Sequence, residues 1–237
     1  MAKGGTPAMA HIIEGIRDAI NLLLSFDKEI YGIIGLSLYV SLASTLISGI
    51  VAIPIGIVLG IKSFPVKKAV IRLLYTMMSL PPVIVGLVVF LFISRNGLLG
   101  NLRIVYTPTA IIVAQVLLVT PIIMGTVYAG ARERGEEIQN VAYTLGANRA
   151  QALILLIKEL RVNIFSAIVT GYGRAISEVG AVMVVGGNIK GHTRVMTTVI
   201  AMLKNMGQYG MAIAIGIILL LISFIINSIL YKLQQGD

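Results

Sequence analysis

The chain has 237 residues, 57% of them hydrophobic and 12% charged, with a net charge of +9 and no cysteine. Soluble domains carry about 25% charged residues, so lipid is the expected main solvent and the number of membrane spans bounds the fold better than length does. The basic residues are scattered between apolar runs, which argues against a nucleic-acid partner and fits spans flanked by anionic lipid headgroups. Disulfides and thiol chemistry are excluded, and His11 and His192 lie too far apart in sequence to suggest a metal site.

Residues 1–8, beginning MAKGGTP, read as an unstructured leader or an expression remnant. Residues 9–28 place Ile12, Ile13, Ile16, Ile20, Leu23 and Leu24 at helical spacing, with Glu14, Arg17, Asp18 and Asn21 between them. That pattern predicts an amphipathic helix that lies on the membrane or braces a bundle. A spanning helix needs about 20 apolar residues, and residues 29–232 supply five such runs. Span one covers about residues 32–60 and carries Ala52, Gly56 and Gly60, a small residue at every fourth position, which lets two helices approach closely. Arg72 and Arg95 bracket span two, which contains Pro81 and Pro82. Arg103 and Arg132 bracket span three, which contains Thr120 and Pro121. Each proline site removes backbone hydrogen bonds and predicts a kink. Residues 162–189 form span four, interrupted by Arg174 and Glu178, and Lys204 and Lys232 bracket span five. Residues 233–237 are a short tail.

Lysine and arginine set the orientation. Segments 62–72 and 131–161, with Lys232, hold ten of them, and the opposite side holds eight. The bias puts the 131–161 loop and the C-terminus in the cytoplasm and the N-terminus outside.

Signs of covalent chemistry are missing. Gly-Lys never occurs, so there is no P-loop. There is no G-x-S-x-G and no H-E-x-x-H. Tyrosines aside, Arg174 and Glu178 are the ionisable pair inside a span. Their i, i+4 spacing would put them on one helical face, as a structural salt bridge or a functional ion pair.

The polar stretch EEIQNVAYTLGANRAQALILLIKEL, residues 136–160, stands out in this background. Ile138, Val141, Ala142 and Leu145 form one apolar stripe at i, i+3, i+4, i+7. Gly146 follows where a left-handed helix cap wants glycine. Asn148 and Gln151 form a capping-box pattern that opens a second helix, ending near Leu160. The segment therefore reads as helix, tight turn, helix. The stripe could pack on the chain's own bundle or fill a groove on a partner.

This stretch resembles the EAA loop of the integral membrane subunits of ATP-binding-cassette importers, whose pattern is E-A-A, three residues, G, nine residues, I-x-L-P. Aligned on Gly146, the pattern falls on Asn140, Val141, Ala142, Gly146 and Leu156, with Asn140 in place of the glutamate and Lys158-Glu159 in place of Leu-Pro. The segment TGYGRAISEVGAVMVVGGNIKGHT, residues 170–193, is similar to the span that follows the loop in permeases for molybdate, tungstate and sulfate, and most like tungstate-type permeases. The resemblance covers roughly residues 31–232. It implies an all-α membrane protein with the type I importer transmembrane domain: about five transmembrane helices, an N-terminal amphipathic helix and a cytoplasmic coupling helix pair. It also implies a homodimer in the bilayer, served by two copies of an ATPase subunit and by an extracytoplasmic substrate-binding protein. ATP and Mg would be bound by the ATPase, with no cofactor in this chain and no catalytic residue. Coupling to the ATPase would fall on Glu137, Ile138, Asn140, Val141, Ala142, Leu145, Gly146, Ala147 and Asn148.

The expected substrate is an oxyanion, with tungstate first and molybdate or sulfate as alternatives. A path for a dianion should be wet and polar, and Gln115, Thr120, Ser177 and Asn188 are its candidate lining groups. Two other readings are a permease of the same architecture for another small solute, such as an amino acid, and a membrane scaffold or intramembrane enzyme without an ATPase.

Overall fold

The computed structural model describes the backbone of residues 7–25 and 27–235 and the side chains of residues 12–25 and 27–232. Within those residues every regular element is helical. The first six residues of the expected leader and the last two of the expected tail lie outside the described residues. Helix α1, Pro7–Leu24, takes in the remainder of the leader, and α10 continues through the tail to Gln235.

The uninterrupted apolar runs become α2 (Lys28–Ile61), α5 (Pro108–Thr144) and α10 (Tyr209–Gln235), each long and apolar enough to cross a membrane. Asp27 starts α2, its carboxylate accepting from the amides of Glu29 at 2.8 Å and Ile30 at 3.0 Å. Span two is a broken pair rather than one kinked helix: α3 (Lys67–Met78) and α4 (Pro82–Ile93). Neither Pro81 nor Pro82 has an amide to donate, and the residue before a proline avoids helical angles. The chain therefore leaves the helix at Ser79 and restarts at Pro82, where a first-turn proline is favoured.

Span four is also divided, into α7 (Arg161–Ile176) and α8 (Gly180–Gly186). If each interrupted pair counts as one crossing, the described residues hold up to five. The kink site expected in span three does not break its helix, because α5 runs continuously through Pro121. Helix α6 (Arg149–Glu159) is the second half of the expected cytoplasmic pair, whereas the first half is the end of α5. Helix α9 (Met196–Asn205), which the periodicity did not suggest, precedes α10.

The chain divides into two compact units. The first comprises residues up to 41, 82–114 and 176–228. Its core joins Ala19 of α1, Ile33 and Ile34 of α2, Met196, Val199 and Leu203 of α9, and Ile215 and Ile218 of α10. Helix α1 braces this unit through Ala19 and Gly15, whose bare backbone lies against Ile213 of α10. Its apolar stripe of Ile12, Ile16, Ile20 and Leu24 stays exposed on the outer side. Gly86 of α4 admits Ala181 of α8, whose Cα would lie 2.6 Å from any added Cβ.

The second unit comprises residues 42–81, 115–175 and 229 onward. Ala52 and Ile57 of α2, Val119, Ile123, Val127 and Ala131 of α5, Leu156 and Leu160 at α6, and Ala167 and Ala175 of α7 form its core. Here the small residues of span one do what their spacing predicts. Ala52 is buried, Gly56 faces Met124 and Val127, and Gly60 faces Ala131.

Candidate functional site

Helix α5 ends at Thr144, and Gly146 turns the chain with φ +82°. The Gly146 amide donates to the Tyr143 carbonyl at 3.0 Å, and the Ala147 amide donates to the Ala142 carbonyl at 3.0 Å. These bonds satisfy carbonyls that the helix end would leave over, in the manner of a left-handed glycine cap. Asn148 then opens α6. Its Oδ1 accepts from the Gln151 amide at 3.0 Å, and Gln151 Oε1 accepts from the Asn148 amide at 2.8 Å. Two helices are thus joined by a turn whose geometry is built into Gly146, Asn148 and Gln151.

The apolar stripe does not face one way, which corrects the single face expected from its spacing. Ala142 is 1% exposed, and Ile138 packs on the core around Leu156 and Leu160. Val141 is exposed and Leu145 is 81% exposed. The reason is angular. The four positions cover about 100° of the helix, and the unit's own core takes one edge of that arc. Leu145 lies past the last helical residue, where packing ends. Glu137, Asn140, Gly146 and Asn148 are exposed and Ala147 is half-buried. The periodicity missed exposed Tyr143 and, on α6, exposed Leu153, Ile154 and Ile157. The i, i+4 spacing of Leu153 and Ile157 could have revealed that second stripe.

The candidate pathway groups fall in different units. Gln115 is 2% exposed in this chain. Its amide is consumed inside the second unit: Ser44 Oγ donates to its Oε1 at 2.9 Å, and its Nε2 donates to the Ala175 carbonyl at 3.0 Å. Ala175 sits in the last turn of α7, where carbonyls lack helical partners. Gln115→Leu is expected to leave that carbonyl short of a partner and to cost about 1–3 kcal/mol. Thermal unfolding of the purified protein checks this, and an unchanged midpoint would refute it. Thr120, on the same helix, is half-buried.

Ser177 and Asn188 belong to the first unit. Ser177 is exposed. Asn188 is half-buried with φ +51°, and its Oδ1 accepts from Thr198 Oγ1 at 2.9 Å, so it shapes a turn.

Arg174 and Glu178 do not share a continuous helix, since α7 stops at Ile176 and α8 begins at Gly180. Glu178 is buried, its Oε1 accepts from the Ala181 amide at 3.0 Å, and its carbonyl accepts from Thr197 Oγ1 at 2.8 Å. Those bonds anchor the restart of the chain at α8.

A further feature escaped sequence reasoning. Ser37, Ser41, Ser44, Thr45 and Ser48 are all buried along α2. Ser37 Oγ accepts from the Met196 amide at 2.8 Å, and Ser48 Oγ donates to the Val116 carbonyl at 3.4 Å. Small hydroxyl residues at helical spacing in an apolar run were the available signal.

A family model described as "Binding-protein-dependent transport system inner membrane component" matches residues 52–236. The chain belongs to this family. It is similar to the tungstate uptake system permease protein TupB of Peptoclostridium acidaminophilum, with 54% identity over 96% of this chain and 100% of that protein. It is also similar to a probable anion ABC transporter permease protein of Haloferax volcanii, with 35% identity over 83% of this chain and 87% of that protein. The TupB of Campylobacter jejuni is 31% identical over 95% of this chain and 94% of that protein. The chain is accordingly a membrane permease subunit of the ATP-binding-cassette importer kind, with several apolar helices suited to repeated crossing of a membrane.

Proposed function

We propose that this chain is the membrane half-pathway of a tungstate importer. It would work as a homodimer with two ATPase subunits, which bind ATP and Mg, and with an extracytoplasmic binding protein that delivers the anion. The full-length similarity to a protein named as a tungstate uptake permease carries this reading.

No bond is made or broken in the permease. ATP closes the partner subunits, and the turn at Leu145 and Gly146 passes that motion to the spans. ATP can drive the switch only by binding one state more tightly than the other. The exposed Val141, Tyr143 and Leu145 supply an apolar contact for the partner, and Glu137 and Asn140 flank it. The C-terminus and this turn lie in the cytoplasm, and the N-terminus lies outside.

The deciding experiment is uptake of labelled tungstate by cells lacking the chain, with and without its restoration alongside its partners. Restored tungstate uptake is expected, with cargo retained by the cognate binding protein. Restoration of molybdate, sulfate or amino-acid uptake alone would overturn the substrate. Failure of any nucleotide-binding subunit to co-purify would favour a scaffold.

Orientation is tested in the same cells by single cysteines, for which the cysteine-free chain is a clean background. Leu98→Cys, at a position 84% exposed, is expected to react with an impermeant maleimide from outside. Ala150→Cys is not expected to react. Gly100 is a poor site for this probe, since a Cβ there would lie 2.6 Å from the Ser94 carbonyl oxygen. The reverse labelling would invert the topology.

A further inference from the structure

The start of α2 and the turn between α8 and α9 enclose a cavity of about 550 Å³ in the first unit. Lys28, Glu29, Lys190, His192 and Arg194 line it, over an apolar floor at Leu36. Lys28, Lys190 and Arg194 against Glu29 leave two net positive charges. Glu29 holds two of the cations: its Oε2 lies 2.7 Å from Lys190 Nζ, and its Oε1 lies 3.7 Å from an Arg194 terminal nitrogen.

The Arg194 side chain is only 18% exposed. Its second terminal nitrogen donates to the Asn188 carbonyl at 3.5 Å, a long bond. Its Nε–H is buried and has no acceptor among the described residues. A buried donor without an acceptor is costly and uncommon in folded proteins. A guanidinium presents its donors as a planar fork that matches the oxygens of a tetrahedral oxyanion.

The turn that carries Arg194 is closed by its own hydrogen bonds. Gly187, Asn188 and Gly191 take left-handed angles of 67°, 51° and 72°. The fully buried Thr193 accepts from the Ile189 amide at 3.0 Å and donates to the Gly186 carbonyl. The Arg194 guanidinium is therefore placed before any ligand arrives, which lowers the ordering cost of binding.

We propose that this cavity is a weak binding site for the transported dianion at the outer mouth of the permease, with Glu29 as a built-in competitor. Glu29 occupies the cations until an oxyanion displaces it, which keeps occupancy brief. A transport site must bind well enough to capture and weakly enough to release. The site rests on the proposed substrate and orientation.

The experiment uses the assembled transporter in nanodiscs of neutral lipid, without binding protein, and measures tungstate binding by calorimetry. Binding that weakens as salt rises is expected. Glu29→Gln should tighten it several-fold by removing the competing charge, an effect that misfolding cannot mimic. Arg194→Gln should weaken it by about tenfold, the loss of one charge-assisted contact. Tungstate uptake by the same variants separates the two readings. If the parent imports tungstate but shows no binding, or if Glu29→Gln fails to tighten binding, the site is wrong and the proposed function stands. If the parent imports no tungstate, the proposed function falls first. Repeating the titration with anionic lipid identifies the source of the oxyanion. A site that takes up lipid phosphate and excludes tungstate would overturn the proposal.

Discussion

Replacing Gly60 by leucine is expected to remove most of the folded permease from the membrane. At this position α2 and α5 touch through backbone. An added Cβ would overlap Ala131 Cβ and lie 2.9 Å from the Ala131 carbonyl carbon and 3.0 Å from the Arg132 nitrogen. Those are backbone atoms of a continuous helix, so no flexible side chain can swing aside. Overpacking of this kind costs about 1–3 kcal/mol, and more where backbone must move. Marginal stability turns such a cost into a large loss of folded protein. Gly56→Val should behave alike, because a Cβ there would lie 2.8 Å from the Met124 carbonyl oxygen and 3.0 Å from Val127 Cβ. Gly32→Ala is the control. It lies in the same helix, and beyond that helix's own adjacent backbone no described atom comes within 4 Å of its added Cβ, while alanine is the better helix former by about 1 kcal/mol. Membrane abundance and the thermal midpoint of purified protein are the readouts. Equal behaviour of Gly60→Leu and Gly32→Ala would show that the α2–α5 contact is not tight.

Leu145→Asp is expected to leave the permease folded and to abolish tungstate uptake. The side chain is almost wholly exposed just beyond the end of α5, so its own fold should change by no more than about 0.5 kcal/mol. In the proposed complex it enters an apolar groove of the ATPase, and central apolar contacts are worth about 2 kcal/mol or more. That corresponds to a loss of affinity of at least about thirtyfold. Ala142→Asp is the contrasting variant. It would place a charge in the second unit's interior and should unfold the chain rather than uncouple it. Gly146→Val adds a third case. Apart from its two chain neighbours, no described residue comes within 4 Å of the added Cβ. The variant therefore pays only for the left-handed angle, more than about 1 kcal/mol for a β-branched residue, unless a partner sits there. Subunit co-purification, ATP hydrolysis stimulated by loaded binding protein, and uptake are measured together. If Leu145→Asp assembles, hydrolyses and transports like its parent, the turn is not the coupling element.

Local signals in the sequence were reliable where one residue type has one physical use. Gly146 takes the left-handed cap and Asn148 with Gln151 forms the reciprocal cap, because few other residues satisfy a helix end. Ala52, Gly56 and Gly60 bring α2 onto α5, because only small side chains permit that distance. The proline sites were less legible. Pro81 with Pro82 ends a helix, while Pro121 and Pro54 sit inside continuous ones. A single missing amide can be tolerated when the flanking turns are packed. Two in succession leave no ladder to continue.

The sequence by itself determined the solvent, the helical class and the approximate number of apolar runs, because burial in lipid demands long apolar segments with internally satisfied backbone. It also determined where the polar turn lies, because charge and capping residues are local. Only the tertiary structure decided which side of the 138–145 stripe stays exposed, since the unit's own core claims Ile138 and Ala142 and leaves Val141 and Leu145 outside. It alone showed that Gln115 ties Ser44 to Ala175. It alone gathered Glu29, Lys190 and Arg194 around one cavity. These are contacts between residues distant in the chain, and periodicity carries information only about neighbours a few residues apart.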